Sequence, residues 1–443
     1  MRSFSDMFDA ARKSPMELLG DRSGWALADQ VLISLTNFVT MILVAKGLHD
    51  DTAAFGTFTL IYSALLFANI LQFALVTQPH NVLGSARTGE DYCVFTTTTA
   101  LVQVVLALTL TVIASFVAAG AHLSHASFTP QLIALVPSIF AWQLQEFVRR
   151  VLYTEGRLAG AFVNDLLSYG GQTLIIAFLY KHNSITGEKA LWALAITSAV
   201  ACALGIFQIL PSLRPHISKQ VIAENWNFGK WLLGSETVQW CSSLQMYLYL
   251  AALIIGTSAS GMLRAAQILF GPARLLSFFF QNVLPIRFSR ALAEHGDGVL
   301  GVQLRRAFVL VAVLMGPYCL VLALFPAQVL RLIGPSYADH PRVLTLYSIQ
   351  ALLSYFAMVV TAALSARRMT RDIFTSSVCG SAIALALSWP LIKFMNVRGA
   401  VACMMISTSV MTALLIYRYR HRNRNIAPGF PPILTPKEQA CAS

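Results

Sequence analysis

Residues 93–119 read CVFTTTTALVQVVLALTLTVIASFVAA, 27 consecutive positions without an Asp, Glu, Lys or Arg. At 1.5 Å per residue a helix of this length reaches about 40 Å, and the hydrocarbon core of a bilayer is about 30 Å thick. Outward from this stretch, segments of the same character recur at 25–46, 55–78, 130–153, 158–180 and 190–212. After a polar break they resume at 228–256, 260–285, 304–327, 342–366, 372–393 and 397–417. The expected fold class is therefore all-α: a polytopic membrane protein of twelve transmembrane helices in two six-helix bundles. The bundles are placed at 25–213 and 228–419, joined by a linker at 214–227, with an N-terminal segment at 1–24 and a basic tail at 420–443.

Composition supports this. Of 443 residues, 56% are hydrophobic and 12% charged, against roughly 25% charged in a soluble domain. Mean hydropathy is +0.64. The net charge of +12 would suit a nucleic-acid partner, but the basic residues fall in short runs between apolar segments. That pattern marks the cytoplasmic side of a membrane and leaves nucleic acid out. The seven Cys are scattered singly without C-x-x-C spacing, so packing is preferred over metal or disulfide chemistry.

With the N-terminus inside, segments assigned to the cytoplasm hold 23 of the 32 Lys and Arg, and the opposite side holds 7. The remaining two, Arg264 and Arg274, lie within the eighth span. This asymmetry follows the positive-inside rule and places both termini in the cytoplasm. Phe4, Met7, Phe8 and Ala11 repeat at helical spacing opposite Asp6, Asp9, Arg12 and Lys13. A short helix lying on the lipids of the inner membrane surface is expected there. The halves also look related. Trp25-Ala-Leu-Ala-Asp29-Gln30 opens span one and Trp231-Leu-Leu-Gly-Ser235-Glu236 opens span seven, with Gly56 following the first Trp by 31 residues and Gly261 the second by 30.

Ionisable groups at membrane depth cost several kcal/mol unless they face a cavity or a partner. In span eight, Arg264, Gln267, Gly271, Arg274 and Asn282 fall within roughly a quarter-turn. Two readings stand: a cavity wall, or pairing with carboxylates elsewhere. Pro272 between the arginines bends the helix. Span four ends in Gln143, Glu146, Arg149 and Arg150, spaced for i,i+3 and i,i+4 pairs; a structural salt bridge competes with a place at the cavity entrance for Gln143 and Arg150. Span one carries Asp29, Ile33, Thr36 and Thr40 on one face, and span seven carries Glu236, Gln239, Ser243 and Tyr247. Asp29 and Glu236 are candidates for proton or cation coupling, or for neutralising the arginines of span eight. Asp165, Ser168 and Gln172 form a weaker stripe in span five. For the loop histidines His122 and His125 and for the run Thr96–Thr99, solvation and helix packing are the preferred readings.

There is no G-x-x-x-x-G-K-[ST], so no bound nucleotide drives the chain and no cofactor is expected. The loop between spans two and three lacks the basic Gly-Asp-Arg pattern of the major facilitator family. No outer loop exceeds about 20 residues, which argues against a membrane enzyme with an extracytoplasmic catalytic loop.

Three blocks carry a family resemblance: Phe55-Gly-Thr-Phe-Thr-Leu-Ile-Tyr62, Phe228-Gly-Lys-Trp231 and Gly261-Met-Leu-Arg-Ala-Ala-Gln-Ile-Leu-Phe-Gly-Pro272. With helix count and size, they make the chain resemble the multidrug/oligosaccharidyl-lipid/polysaccharide exporter superfamily, in its polysaccharide flippase branch. The resemblance implies two six-helix lobes that alternate between inward-open and outward-open. It implies a glycan on polyprenyl pyrophosphate as substrate, with Arg264 and Arg274 receiving its anionic part. It implies a bacterial inner-membrane location and other polysaccharide-assembly proteins as partners. A cation-coupled multidrug exporter of the same fold, with Asp29 in the coupling role, is the alternative. The even span count predicts that reporter fusions at Ser3 and after Pro436 both read as cytoplasmic; opposite readings at the two ends would refute it.

Overall fold

Lipid offers backbone N–H and C=O groups no hydrogen-bond partners, so an apolar chain satisfies them internally as helix. The computed structural model describes residues 22–48, 51–241, 243–273, 276–277, 280, 284–295, 297–367 and 369–423, and every regular element among them is helical. The expected surface helix at the N-terminus and most of the basic tail lie outside the described residues.

The first elements are α1 (Arg22–Gly47), α2 (Thr52–Gln72), a π-helical turn (Phe73–Thr77), α3 (Gln78–Leu83), α4 (Gly89–Leu123) and α5 (Thr129–Thr154). They continue as α6 (Leu158–Asp165), a second π-turn (Leu166–Gly170), α7 (Gly171–Lys181) and α8 (Gly187–Ile209). Next come α9 (Lys219–Cys241), α10 (Leu244–Ile254), α11 (Thr257–Ile268), α12 (Leu284–His295), α13 (Asp297–Leu324) and α14 (Pro326–Arg331). The last are α15 (Pro341–Ala366), α16 (Thr370–Met395) and α17 (Val397–Asn423). Asp51 starts α2 by accepting the N–H groups of Ala53 and Ala54 at 2.8 and 3.0 Å, and Thr186 starts α8 by accepting that of Lys189 at 3.1 Å.

Among the described residues nine helical stretches are long and apolar enough to cross a membrane. With α5, whose charged end lowers its hydropathy, and with spans seven and eight, which are interrupted, the twelve crossings of the sequence are accounted for. The interruptions are corrections. Span seven was expected at 228–256, but its helix begins at Lys219 and is broken after Cys241, so much of the presumed linker is helical. Span eight was expected as one helix over 260–285, but α11 stops at Ile268. Gly271-Pro272 follows, and proline removes a donor and clashes with the preceding turn.

Contacts divide the chain into two compact units. The first comprises the described residues up to Cys241, with Gln245–Pro272 and Arg331–Asp339. In it, Val76, Phe147, Val148, Val151, Leu152, Ala161 and Ile209 form a core cluster, and Ser138 Oγ donates to the Leu191 carbonyl at 2.9 Å. The second comprises the described residues within 243–244 and 273–330 and those from His340 onward. There Val360, Leu364, Met369 and Leu415 cluster, and Gln350 donates to Thr408 at 3.0 Å. Helix α9 packs with the first unit.

The helices are dressed for lipid. On α4 the buried positions include Thr96, Thr98, Thr99, Gln103 and Ala107, while Leu101, Val105, Leu108, Val112 and Phe116 face outward. On this helix large apolar side chains cover the outside, and Phe95 joins small and polar residues on the buried face. Helices α2 and α11 approach closely at the two glycines of the sequence repeat. A Cβ on Gly56 would collide with the Thr257 carbonyl oxygen, and one on Gly261 with the Thr52 carbonyl oxygen. The contact is reciprocal, Thr52-x-x-x-Gly56 against Thr257-x-x-x-Gly261, and Thr52 Oγ1 and Ser258 Oγ are 2.7 Å apart. Gly56→Ala and Gly261→Ala are each expected to lower stability by about 1–3 kcal/mol, since backbone must move to make room. Gly316→Ala, where nothing lies within 4 Å, is expected not to. Thermal melts in detergent that rank the three variants equally would contradict this packing.

Candidate functional site

Two groups of polar side chains stand out inside the first unit. The first is built on α5. Arg149, on a helix face that is buried along its length, reaches three carboxylates from three segments. Its guanidinium donates to Asp29 Oδ2 of α1 at 3.0 Å and to Glu146 Oε1 at 3.2 Å, and makes an ion-pair contact through Nε with Asp165 Oδ2 of α6. Asp165 is 0% exposed and Asp29 1%, so these charges are held away from water. Neighbouring donors complete the group. Tyr153 donates to Asp29, Tyr169 to Glu146 at 2.9 Å, Trp142 to the Tyr169 oxygen at 3.3 Å, and Gln145 to Asp165 Oδ1 at 2.9 Å. Arg150, partly exposed, stands 3.8 Å from Glu146 Oε2 at the edge. Three carboxylates thus meet one buried guanidinium, and Asp29 Oδ1 is buried without a hydrogen-bond donor.

The π-turn after Asp165 shapes this group. It adds a residue to one turn, and π-turns of this kind recur where a helix must aim side chains at a site. Asp165 and Tyr169 both point at Arg149 and Glu146, whereas Ser168 turns to Ser198 of α8 at 3.4 Å. The stripe of span five is thereby split between two neighbours. Periodicity shows Asp165 on a polar face; that Tyr153, Tyr169 and Trp142 join it has no counterpart in the sequence pattern, because aromatic residues in an apolar helix look like packing.

The second group surrounds Arg264 on α11. This half-buried residue donates to Gln267, approaches Met41 Sδ at 3.9 Å and lies 5.9 Å from the centre of the Tyr62 ring. Arg264 and Gln267 therefore come together on one helix face, with α1 and α2 supplying the facing residues. Arg274 and Asn282 lie outside the described residues.

The other predicted site residues are placed apart. Gln143 is fully buried: it donates to the Ala68 carbonyl at 3.1 Å, its own carbonyl accepts from Gln72 at 2.6 Å, and Gln103 is 3.4 Å from its Oε1. It ties α2, α4 and α5 together. Glu236 is half-buried on α9. Asp29 finds its cationic partner in Arg149 of α5. Thr40 bonds Thr173 at 2.9 Å, and Thr36 bonds the Leu32 carbonyl at 2.7 Å. Among the described residues no group of three or more His, Cys, Asp and Glu is arranged to hold a metal ion.

The Arg149 group makes a sharp prediction. Removing one member of a buried charge network costs about 3–5 kcal/mol, because the remaining charges are stranded. Arg149→Leu is expected to lower the yield of monodisperse protein and its melting temperature severely, Arg149→Lys partially, since one ammonium cannot fork to three carboxylates. Arg150→Leu, at the exposed edge, is expected to cost about 1 kcal/mol or less. Equal melting temperatures for the position-149 and position-150 variants would refute the arrangement.

No protein-family model matches the chain, and no curated protein matches its sequence. Its fold, however, is shared with solved structures. It is similar to a multidrug-resistance MATE family transporter of the MOP superfamily in an inward-facing conformation, with TM-score 0.61 and 13% identity over 93% of this chain and 99% of that one. It is similar to the lipid II flippase MurJ in an inward-closed conformation, with TM-score 0.67 and 14% identity over 88% and 87%. A MOP superfamily transporter from Pyrococcus furiosus, described as having a binding pocket of reversed polarity, aligns with TM-score 0.55 and 14% identity over 93% and 97%.

Proposed function

We propose that this chain flips a lipid-linked oligosaccharide, carried on polyprenyl pyrophosphate, across a bacterial inner membrane by alternating access, in surface or exopolysaccharide biosynthesis. The termini are cytoplasmic in this reading, and other polysaccharide-assembly proteins supply and receive the glycan. The observation that carries the reading is Arg264, a guanidinium on an internal helix face among Gln267, Tyr62 and Met41. Such a group stays charged at membrane depth and offers forked donors to phosphate oxygens. Arg274, ten residues further along the sequence, is the second anion-binding candidate, with Gln267 and Asn282 as further candidates in the same span and Arg150 at the entrance; Gln143, buried between α2, α4 and α5, is a cavity candidate only through that packing role. Among structures of similar fold, a lipid II flippase supports a lipid-borne cargo.

Coupling is assigned to Asp29 and Glu236. For Asp29 the support is the excess of carboxylates over guanidinium at Arg149, with Asp29 Oδ1 undonated: a proton arriving there would relieve both. The same surplus favours a second reading, a cation-coupled multidrug exporter, and another structure of similar fold is a multidrug-resistance transporter.

The test measures surface glycan together with monodisperse membrane protein. Arg264→Ala and Arg274→Ala are each expected to cut export about tenfold or more at unchanged protein level, a charge-assisted hydrogen bond being lost, with Lys intermediate. Asp29→Asn and Glu236→Gln are expected to abolish pH dependence in the same assay. Normal export from the double Ala variant refutes anion binding by these arginines; normal glycan with lost drug resistance in a deletion strain favours the exporter.

A further inference from the structure

Four consecutive threonines near the start of α4 each take a different partner. Thr96 Oγ1 lies 3.2 Å from His80 Nε2 of α3. Thr97 Oγ1 accepts the backbone N–H of Arg214 at 2.7 Å, and Thr98 Oγ1 that of Ser218 at 3.1 Å. Thr99 Oγ1 accepts from Asn225 Nδ2 at 3.0 Å. Successive helical residues are about 100° apart, so these hydroxyls ring the helix. Three of them hold residues 214–225, the connection that runs into α9.

From there α9 rests on the first unit by a narrow stripe. The residues buried on it are Val221, Asn225 and Gly229, spaced by four. Gly229 sits over the π-turn after α2, where a Cβ would stand 2.7 Å from the Ala74 carbonyl oxygen. Beside the stripe, Glu224 pairs with Arg87, whose guanidinium lies 4.4 Å from the centre of the Phe95 ring.

We propose that the start of α9 is a releasable clasp on α2–α4. The hydroxyl bonds of Thr97 and Thr98 to backbone N–H groups are its fixed anchor, and the Arg87–Glu224 and Thr99–Asn225 contacts open and close as the transporter changes state. The clasp rests on the alternating-access reading. Three features make release cheap. Each charge has a second partner on its own side: Arg87 is 3.0 Å from Asp91, and Glu224 accepts from Gln220 at 3.0 Å. Neither is stranded when the pair parts. The side chains of Arg87 and Glu224 are 19% and 32% exposed, so water reaches both. Asn225 Oδ1 is buried without a donor while the clasp is shut, and opening lets water supply one. A two-state contact with ready alternative partners is what a switching element requires.

The test needs no substrate. Val221, 3% exposed, is replaced by Cys, and maleimide labelling of that site in purified detergent-solubilised protein is followed by peptide mass spectrometry, which separates it from native cysteines. Arg87→Glu and Glu224→Arg are each expected to speed labelling about three- to fivefold, the scale of an exposed ion pair, and the double reversal to restore the slow rate. Thr98→Val is expected to speed amide exchange at Ser218 while leaving labelling slow. Labelling that stays equally slow in monodisperse single-reversal variants overturns the clasp. Should those variants fail to fold, Arg87→Gln is measured instead, and an unchanged rate there overturns it equally. Loss of the glycan-export reading with the labelling pattern intact would count against the cargo and not against the clasp.

Discussion

A guanidinium shared by three carboxylates is affordable in a membrane only when every charge is held in place, and Arg149 meets that condition through helices on which it depends in turn. Asp29 comes from α1, Glu146 from its own helix one turn back, and Asp165 from the end of α6. Desolvating these groups is costly, and their mutual attraction offsets the cost only at close range with the remaining lone pairs occupied. Tyr153, Tyr169 and Gln145 add donors to the three carboxylates, while Asp29 Oδ1 stays undonated. The register of three transmembrane segments is tied to one side chain, because sliding any of them by a residue would strand a charge.

Elsewhere the packing works without such anchors. Burial of large apolar side chains cannot drive helices together in lipid, so contact depends on close approach and on small polar bonds. The reciprocal glycines Gly56 and Gly261 let two helix backbones touch. Gln72, Gln103 and Gln143 form a buried amide knot between α2, α4 and α5. The two π-turns lie beside these polar joints, one after Gln72 and one after Asp165. An extra residue in a turn redirects the helix face beyond it, which lets one helix serve two neighbours with different needs.

Arg264 presents a different balance. It stands half-buried on α11 among Gln267, Tyr62 and Met41, whereas Arg149 is buried among three carboxylates. One arginine is buried in the architecture, and the other stands on a half-buried face. That difference in burial accompanies the proposal of anion binding for Arg264 and of coupling for Asp29.

Length, apolar runs and the Lys/Arg asymmetry were enough to determine an all-helical membrane protein of twelve crossings, because the bilayer imposes one length and one backbone solution on every span. Helical periodicity also placed Arg264 with Gln267 and showed Glu146 beside Arg149, since those relations are local. Partners from other helices were beyond it. Asp29 could equally have answered the arginines of span eight; only the packing of α1 against α5 and α6 directs it to Arg149. The threonines at 96–99 read as ordinary packing hydroxyls until the folded chain brought residues 214–225 alongside them. The breaks in spans seven and eight likewise escaped composition, which averages over a window. Hydropathy is a property of each segment by itself, whereas ion pairs, hydroxyl contacts and glycine seats depend on which segments meet, and tertiary packing alone decides that.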